Sequence, residues 1–120
     1  MRLMQEFGYS VKIGREEAHQ KWFTENEAKL AAAHPPGTKY LGTFIVVVSS
    51  EKRAGFYKTF VEMDSYAALD TLAAAAKDGK SKFGRLIRES SEFGDYDWNA
   101  PWSNGLLKAV VDATVFDPSG

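Results

Sequence analysis

The fold is decided at residues 60–69, which read FVEMDSYAAL. The first letters end an alternating strand that is predicted over residues 56–63. Asp64 or Ser65 then caps a helix, because a short polar side chain can accept a hydrogen bond from the first N–H groups of a helix. Apolar residues of that helix fall on one face, at Leu69, Leu72, Ala73 and Ala76. The stretch therefore predicts a strand that passes directly into a helix.

The segments on either side complete the order strand, helix, strand, strand, helix, strand. Strands are predicted over residues 7–13, 39–49, 56–63 and 106–116, and helices over residues 15–33 and from residue 64 or 65 to 93, with a break at Gly79. The first helix ends at His34, because the Pro-Pro pair that follows cannot continue it. This order predicts an α+β fold of ferredoxin-like type, with a four-stranded antiparallel sheet, in one domain spanning residues 1–120.

The predicted sheet is apolar on both faces. Residues 40–48 read YLGTFIVVV, and the third strand carries Phe56 and Phe60 on the face opposite to Tyr57. Helices cover one face of such a sheet, and a second face left in water is normally polar. We therefore expect a homodimer joined through the face that bears Phe56 and Phe60. The alternative is that the loop at residues 95–105 or the tail covers this face within one chain.

On this order of elements, and on the step from strand to helix at residues 60–69, the chain resembles the dimeric α/β-barrel superfamily. That superfamily includes the antibiotic-biosynthesis monooxygenase-like, stress-responsive barrel, NIPSNAP-like and EthD-like families. The extended second helical region and the tryptophan-containing loop at residues 95–105 are most similar to NIPSNAP-like members. The resemblance covers most of the chain and implies a dimeric α/β barrel, whose enzymes commonly place their pocket between sheet and helices. Some members bind haem, for which a histidine on the second helix would be needed, and this chain has none there.

Composition excludes several classes of chemistry. The chain contains no cysteine, which rules out disulfides, thiol nucleophiles and cysteine-ligated metals. Its net charge is −1, without the basic excess of a nucleic-acid-binding protein. The longest apolar run, residues 44–48, is far too short to cross a bilayer, and the N-terminus does not read as a signal peptide. We expect a cytoplasmic protein with neither a nucleic-acid nor a membrane partner.

The first helix carries the strongest candidate site. On a helical wheel centred on Trp22, the polar residues His19 and Asn26 fall in the middle of the buried stripe, about two turns apart. Buried polar groups need either a hydrogen-bond partner or a wet cavity. One interpretation is that each bonds a backbone carbonyl or a neighbouring side chain. The other is a pocket in which His19 exchanges protons with a substrate and Asn26 and Trp22 bind it.

A second candidate lies in the loop before the last strand. Trp98 and Trp102 lie close together there, among asparagines, and suit an apolar lid over a flat ligand. The alternative is that both rings plug the end of the sheet or a subunit contact. We predict that Tyr57, on the third strand, also lines the substrate pocket.

The sequence predicts no metal and no cofactor. The two histidines, His19 and His34, lie in different environments without ligand-spaced partners, and no glycine-rich phosphate motif is present. Because His34 stands at the predicted end of the first helix, we expect its ring to interact with the C-terminus of that helix.

Three functions fit this sequence. The first is a cofactor-independent enzyme, such as a monooxygenase, isomerase or cyclase, that acts on a flat aromatic or polyketide-like compound. The second is a protein that binds such a small apolar ligand without turnover. The third is a structural dimer in which every inward polar group is satisfied. A cavity of several hundred Å³ beside His19 favours the first two over the third.

Overall fold

Strands and helices follow each other in the predicted order, with one short strand added before the last, and the predicted α+β class is confirmed. The computed structural model describes residues 2–51, 55–97 and 99–113. Within them, the helices are α1 (Glu16–Ala33), α2 (Ala67–Lys77) and α3 (Lys82–Ser91), and the strands are β1 (Leu3–Val11), β2 (Thr38–Ile45), β3 (Tyr57–Met63), β4 (Gly94–Asp95) and β5 (Ser103–Lys108). The single domain over residues 1–120 stays a prediction.

One antiparallel sheet contains all of these strands, in the order β2-β3-β1, with β4 and β5 both paired to the free edge of β1. The edge position predicted for a single strand, the fourth, is thus occupied by both β4 and β5. Gly94 and Asp95 pair with the end of β1 at Val11 and Ser10, and β5 pairs with its beginning. Within the described residues the sheet therefore has five strands instead of the predicted four, because Gly94–Asp95 and Ser103–Lys108 each pair with β1.

The predicted bounds of the two outer segments were wrong. The first strand begins at Leu3 instead of residue 7, because Leu3 pairs with Met63 on one side and Lys108 on the other. Within the described residues, the last strand runs over Ser103–Lys108 and does not include residues 109–113, which the prediction covered; residues 114–116 of the predicted strand lie outside the described residues. Alternating apolar residues continue beyond both strands, but Ile13 and Val110 are each 99% exposed. Pairing partners, and not alternation, set where these strands end.

The start of α2 also differs from the prediction. Neither Asp64 nor Ser65 caps the helix with its side chain; Tyr66 stands at the N-cap and makes no such hydrogen bond. The Asp64 carboxylate lies instead against Gly37, where an added Cβ would meet Oδ1 at 3.0 Å. Gly37 also has a positive φ of 83° and accepts a backbone hydrogen bond from Asp64. Asp64 therefore joins the start of β2 to the end of β3.

The helices pack on one side of the sheet. Alternation along β1 places Leu3, Gln5, Phe7 and Tyr9 on this helix-facing side. The buried core forms two clusters of side chains: Trp22, Leu30, Phe83, Leu86 and Phe93 in one, and Leu3, Val61, Met63 and Ala68 in the other.

The opposite side of the sheet, the outer face, mixes aromatic rings with ion pairs. Phe44 and Phe60 pack edge to face with ring centroids 5.7 Å apart. Lys58 pairs with Glu6, which together with Glu51 raises the pKa of the lysine. Part of the loop before β5 reaches this face where the Ser10 hydroxyl donates to the carbonyl of Pro101, 3.1 Å away. Phe44 nevertheless remains 53% exposed.

Candidate functional site

A cavity of about 500 Å³ lies between the helix-facing side of the sheet and the helices. Strands β1, β2 and β3 form one wall and all three helices form the other. We call it the interlayer cavity. Most of its lining is apolar, with aromatic rings on both walls and alanines from α2: Phe7, Tyr9, Phe23, Leu30, Tyr40, Val61, Leu69, Leu72, Ala73, Ala76, Phe83 and Ile87.

An irregularity in β2 brings two polar residues into this cavity. Tyr40 pairs with Val61, but the next pair is Gly42 with Phe60, so one residue of β2 has no pairing partner on β3. This β-bulge turns Tyr40 and Thr43 to the same side of the sheet, which a regular strand would not do. Gly42 has a φ of 136°, and a Cβ there would lie 3.0 Å from the ring of Phe44. Glycine is therefore required at the bulge.

The bulge builds a chain of hydrogen bonds across the cavity wall. The Tyr40 hydroxyl donates to Oε2 of Glu27 at 2.8 Å and lies 2.7 Å from Oγ1 of Thr43. Thr43 is in turn 2.8 Å from Oγ1 of Thr59 on β3. Burial, together with the Glu27 carboxylate, raises the pKa of Tyr40 and keeps its phenol protonated. The Tyr40, Thr43 and Thr59 side chains all line the interlayer cavity.

His34 lines the same cavity at the end of α1. Its Nδ1 lies 2.8 Å from the carbonyl of Leu30, which confirms the predicted interaction with the helix C-terminus. The ring packs against Phe83, with centroids 4.6 Å apart, and against Tyr40 at 5.3 Å. Burial lowers the pKa of His34, although the bond to Leu30 acts in the opposite direction. The imidazole is therefore neutral at pH 7.

His19 is paired with Tyr9. The Tyr9 hydroxyl lies 2.6 Å from Nε2 of His19, and the two residues are only 7% and 4% exposed. Burial lowers the pKa of His19 and raises that of Tyr9, so both groups are held neutral. Tyr57 and Phe23 surround the imidazole, with ring centroids 4.5 and 4.8 Å away. Tyr9 lines the interlayer cavity, whereas His19 lies behind it.

His19 itself lines a second, more open space between α1 and β2, which we call the helix groove. Its volume is about 390 Å³, and its walls include Glu16, Gln20, Phe44, Ile45 and Tyr57. Phe23 and Thr43 line both spaces. His19 and Tyr9 therefore form a bonded pair that reaches from the helix groove to the interlayer cavity.

The structure brings only some of the predicted site residues together. His19 and Tyr57 are in contact, as described above. Asn26 donates from Nδ2 to the carbonyl of Trp22, at 2.9 Å, and Trp22 is a core residue whose Nε1 donates to Glu89. Neither Asn26 nor Trp22 lines the interlayer cavity or the helix groove. Trp102 is 59% exposed, and Trp98 lies outside the described residues.

Sequence reasoning missed Tyr9, Tyr40, Thr43 and Thr59. Each stands inside a predicted strand, where polar and aromatic residues at alternating positions are unremarkable on either face. One signal was available for β2, because a glycine inside a strand often marks a bulge. Gly42 could have indicated that residues 40 and 43 share a face.

Neither a metal site nor a membrane-spanning helix is found in the described ranges. No group of histidine and carboxylate residues among them is arranged to hold a metal ion. No helix in the same ranges is both long and apolar enough to cross a membrane.

Comparison with known proteins finds similar folds among solved structures. No protein-family model and no curated protein matches the chain. Among solved structures, a NIPSNAP family protein from Agrobacterium tumefaciens has a TM-score of 0.68 at 12% identity and covers 98% of this chain and 100% of its own. A DABB family protein with a ferredoxin-like fold from Mesorhizobium loti has a TM-score of 0.60 at 10% identity, covering 92% of this chain and 98% of its own.

A further match is SnoaB, a cofactor-independent oxygenase from Streptomyces nogalater, with a TM-score of 0.52 at 13% identity, covering 93% of this chain and 96% of its own. Identities this low show the fold alone. The chain therefore has the ferredoxin-like fold shared by NIPSNAP, DABB and antibiotic biosynthesis monooxygenase proteins, which confirms the predicted resemblance at the level of fold.

Proposed function

We propose that this protein binds a flat, largely apolar small molecule in the interlayer cavity. The observation that carries the proposal is the cavity itself, about 500 Å³ in the layer where a domain of this size normally packs its core. That volume lies within the range of small-molecule sites. The cavity opens to solvent beside Ala73, which is exposed, so a small molecule can enter it from outside.

The shape of the walls supports a planar ligand. On the sheet side, the rings of Phe7 and Tyr9 are stacked, with centroids 5.8 Å apart and planes inclined by 20°. On the helix side, Ala73 and Ala76 leave a wall without long side chains. An aromatic plane can slide between rings on one side and methyl groups on the other with good contact on both.

A cofactor-independent enzyme is the second candidate, and the bonded pair of Tyr9 and His19 favours it. Because the neutral imidazole can accept a proton, His19 could act on a cavity ligand through the Tyr9 hydroxyl. Monooxygenation, isomerisation and cyclisation of an aromatic or polyketide-like compound are the expected reaction classes. In this role Tyr57 orients the imidazole ring.

Ligand binding is tested with paired variants of α2. Ala73 lines the interlayer cavity, whereas its neighbour Ala74 does not, and both are exposed. Wild-type protein should gain thermal stability with members of a library of planar aromatic compounds. Ala73→Phe should lose that gain and Ala74→Phe should keep it. The proposal fails if no compound raises the melting temperature.

Turnover is tested on the compounds that bind. Each is incubated with the protein in air and analysed by mass spectrometry and chromatography. A product formed by wild type and reduced about 100-fold by His19→Ala supports the enzyme. Bound compounds recovered unchanged support a binding protein.

We also infer that the chain is a homodimer formed through the outer face. Phe44, Phe56 and Leu107 are 53%, 63% and 46% exposed. The charges between them are already paired within the chain, as in Arg2 with Glu62, so two such faces can meet without repulsion.

Light scattering should therefore give about twice the chain mass of 13.3 kDa. Phe60→Asp places an unpaired charge in the contact and should give a monomer or an unfolded chain. Tyr66→Asp, at the exposed N-cap of α2, should leave the dimer intact. A folded wild-type monomer at micromolar concentration contradicts the inference.

A further inference from the structure

The hydrogen-bond chain in the cavity wall has a fixed direction. An ionised carboxylate only accepts hydrogen bonds, so Tyr40 uses its single hydroxyl hydrogen on Glu27. The bond between Tyr40 and Thr43 must then be donated by Thr43, and the bond between Thr43 and Thr59 by Thr59. Every hydroxyl hydrogen in the chain points toward Glu27. Thr59, at the far end, has only lone pairs left for the cavity.

His34, like Thr59, has only a hydrogen-bond acceptor left for a ligand. A carbonyl oxygen only accepts, so Nδ1 of His34 must carry the hydrogen that is shared with Leu30. In the neutral ring, Nε2 is then an acceptor without a hydrogen. It has no hydrogen-bond partner among the described residues. His34 therefore also offers the cavity a lone pair and no donor.

The remaining polar groups of the wall agree with this pattern. Ser90 and Ser91, on α3, donate their hydroxyl hydrogens to the carbonyls of Ile87 and Arg88, at 3.0 and 2.8 Å. Asp70 is a carboxylate at the exposed rim. The Tyr9 hydroxyl is bonded to Nε2 of His19, and when Tyr9 donates that bond it too faces the cavity with lone pairs alone. Two further lining residues keep a spare donor, but both lie toward solvent: Tyr96 is 56% exposed, and Gln5 already bonds exposed Asn104.

We propose that the interlayer cavity selects planar ligands that donate hydrogen bonds, such as phenols and N–H heteroaromatics, and rejects planar ligands of equal size that only accept them. This inference rests on the proposed ligand-binding function and adds the chemical class of the ligand. Its physical basis is the cost of facing these acceptors once the ligand has displaced water from the wall. A hydroxyl ligand can donate to Thr59 or to His34, whereas an ether or ketone oxygen gives neither acceptor a donor.

The test compares 2-naphthol with 2-methoxynaphthalene and naphthalene by isothermal titration calorimetry at pH 7.5. The three probes share one ring system, and only the first can donate. Wild-type protein should bind 2-naphthol about tenfold more tightly than the methyl ether. Equal affinity for the two, or a preference for the ether, overturns the inference and leaves the proposed function standing. Binding of none of the three overturns the inference here and counts against the proposed function.

Glu27→Gln tests the direction of the chain itself. The amide introduced at position 27 can donate to Tyr40, which frees the chain to reverse and lets Thr59 donate into the cavity. The preference for 2-naphthol should fall to about threefold or less. Glu25→Gln, on an exposed turn of the same helix, should keep the wild-type ratio. An unchanged ratio in Glu27→Gln would show that the chain does not set the selectivity.

Thr59→Val supplies an independent measurement should Glu27→Gln fold poorly. Valine has nearly the shape of threonine but no lone pair, so affinity for 2-naphthol should fall about threefold or more while affinity for naphthalene stays the same. Loss of affinity for both probes to the same extent would mean that residue 59 contributes shape alone, and would overturn its assignment as an acceptor.

Discussion

His19 and His34 lie near opposite ends of α1, and burial lowers the pKa of both. They differ in how their ring nitrogens are used. Nε2 of His19 is bonded to the hydroxyl of Tyr9, whereas His34 bonds the backbone through Nδ1, and its Nε2 has no partner among the described residues. His19 stands behind the cavity wall, and His34 forms part of that wall.

This difference teaches that burial alone does not mark the group that meets a ligand. A buried histidine whose partner is another side chain is held by that side chain, and His19 can act on a ligand in the interlayer cavity only through Tyr9. A histidine held by a backbone carbonyl keeps its second nitrogen available and in a known protonation state. His19 is therefore the more important residue for stability, and His34 the more important for direct contact with a ligand.

The largest expected effect is on stability. His19→Leu leaves the hydroxyl of Tyr9 buried without its partner and should lower the free energy of unfolding by about 1–3 kcal/mol. His34→Leu frees a carbonyl at a half-buried helix end, which water can reach, and should cost about 0.5–1.5 kcal/mol. Urea unfolding of both variants at one protein concentration measures the two values.

Tyr9→Phe provides the control for that comparison. Added to His19→Leu, it removes the orphaned hydroxyl and should recover part of the lost stability, which a double-mutant cycle detects. A cost for His34→Leu that equals or exceeds the cost for His19→Leu would contradict the assignment of roles.

Element order, fold class and the burial of His19 could all be predicted from the sequence. Each depends on a local signal: the period of apolar residues, the Pro-Pro pair after His34, or the wheel position of residue 19. Strand ends could not be predicted, because they depend on which residues find partners across the sheet. Val110 continues the alternation of β5 but pairs with none of the described strands and is 99% exposed.

The hydrogen-bonding groups of the interlayer cavity could not be predicted from the sequence for a similar reason. In a regular strand, Tyr40 and Thr43 would face opposite sides, and only the bulge at Gly42 joins them. For Asn26, the helical wheel gave the direction of the side chain but not its role. It was placed correctly beside the helix core, but its amide bonds the carbonyl of Trp22 one turn earlier and does not reach a cavity. A wheel gives a direction, and the hydrogen-bond partner decides the role.

A smaller effect is expected from pH. Because the folded-state pKa of each histidine lies below the ordinary value of 6.5, the unfolded chain binds more protons just below that value. Stability should therefore be full above pH 6.5 and fall as the pH is lowered from there toward the folded pKa values, by at most about 1.4 kcal/mol per pH unit for each histidine. Urea titrations between pH 7.5 and 5.5 measure this slope, above the range where most carboxylates titrate.

Substitution of one histidine at a time separates their contributions to the pH dependence of stability. His34→Gln should make the pH dependence shallower, because one of the two depressed groups is gone. Stability that rises on acidification through this range would contradict burial as the cause of both pKa shifts.

The smallest effect is a change in chemical shift, and it tests the comparison most directly. In ¹⁵N spectra at pH 7.5, His34 should be a neutral ring with its hydrogen on Nδ1, because only that nitrogen can donate to Leu30. Addition of 2-naphthol should then move the signal of His34 Nε2, since a hydrogen bond from the ligand would end on that lone pair. His19 Nε2 should move much less, because Tyr9 already occupies it. The spectrum of Thr59→Val under the same titration separates the two acceptors: if His34 is contacted directly, its shift persists without the threonine hydroxyl. A larger response at His19 than at His34 would place the ligand in the helix groove instead of the interlayer cavity, and would reverse the roles assigned to the two histidines.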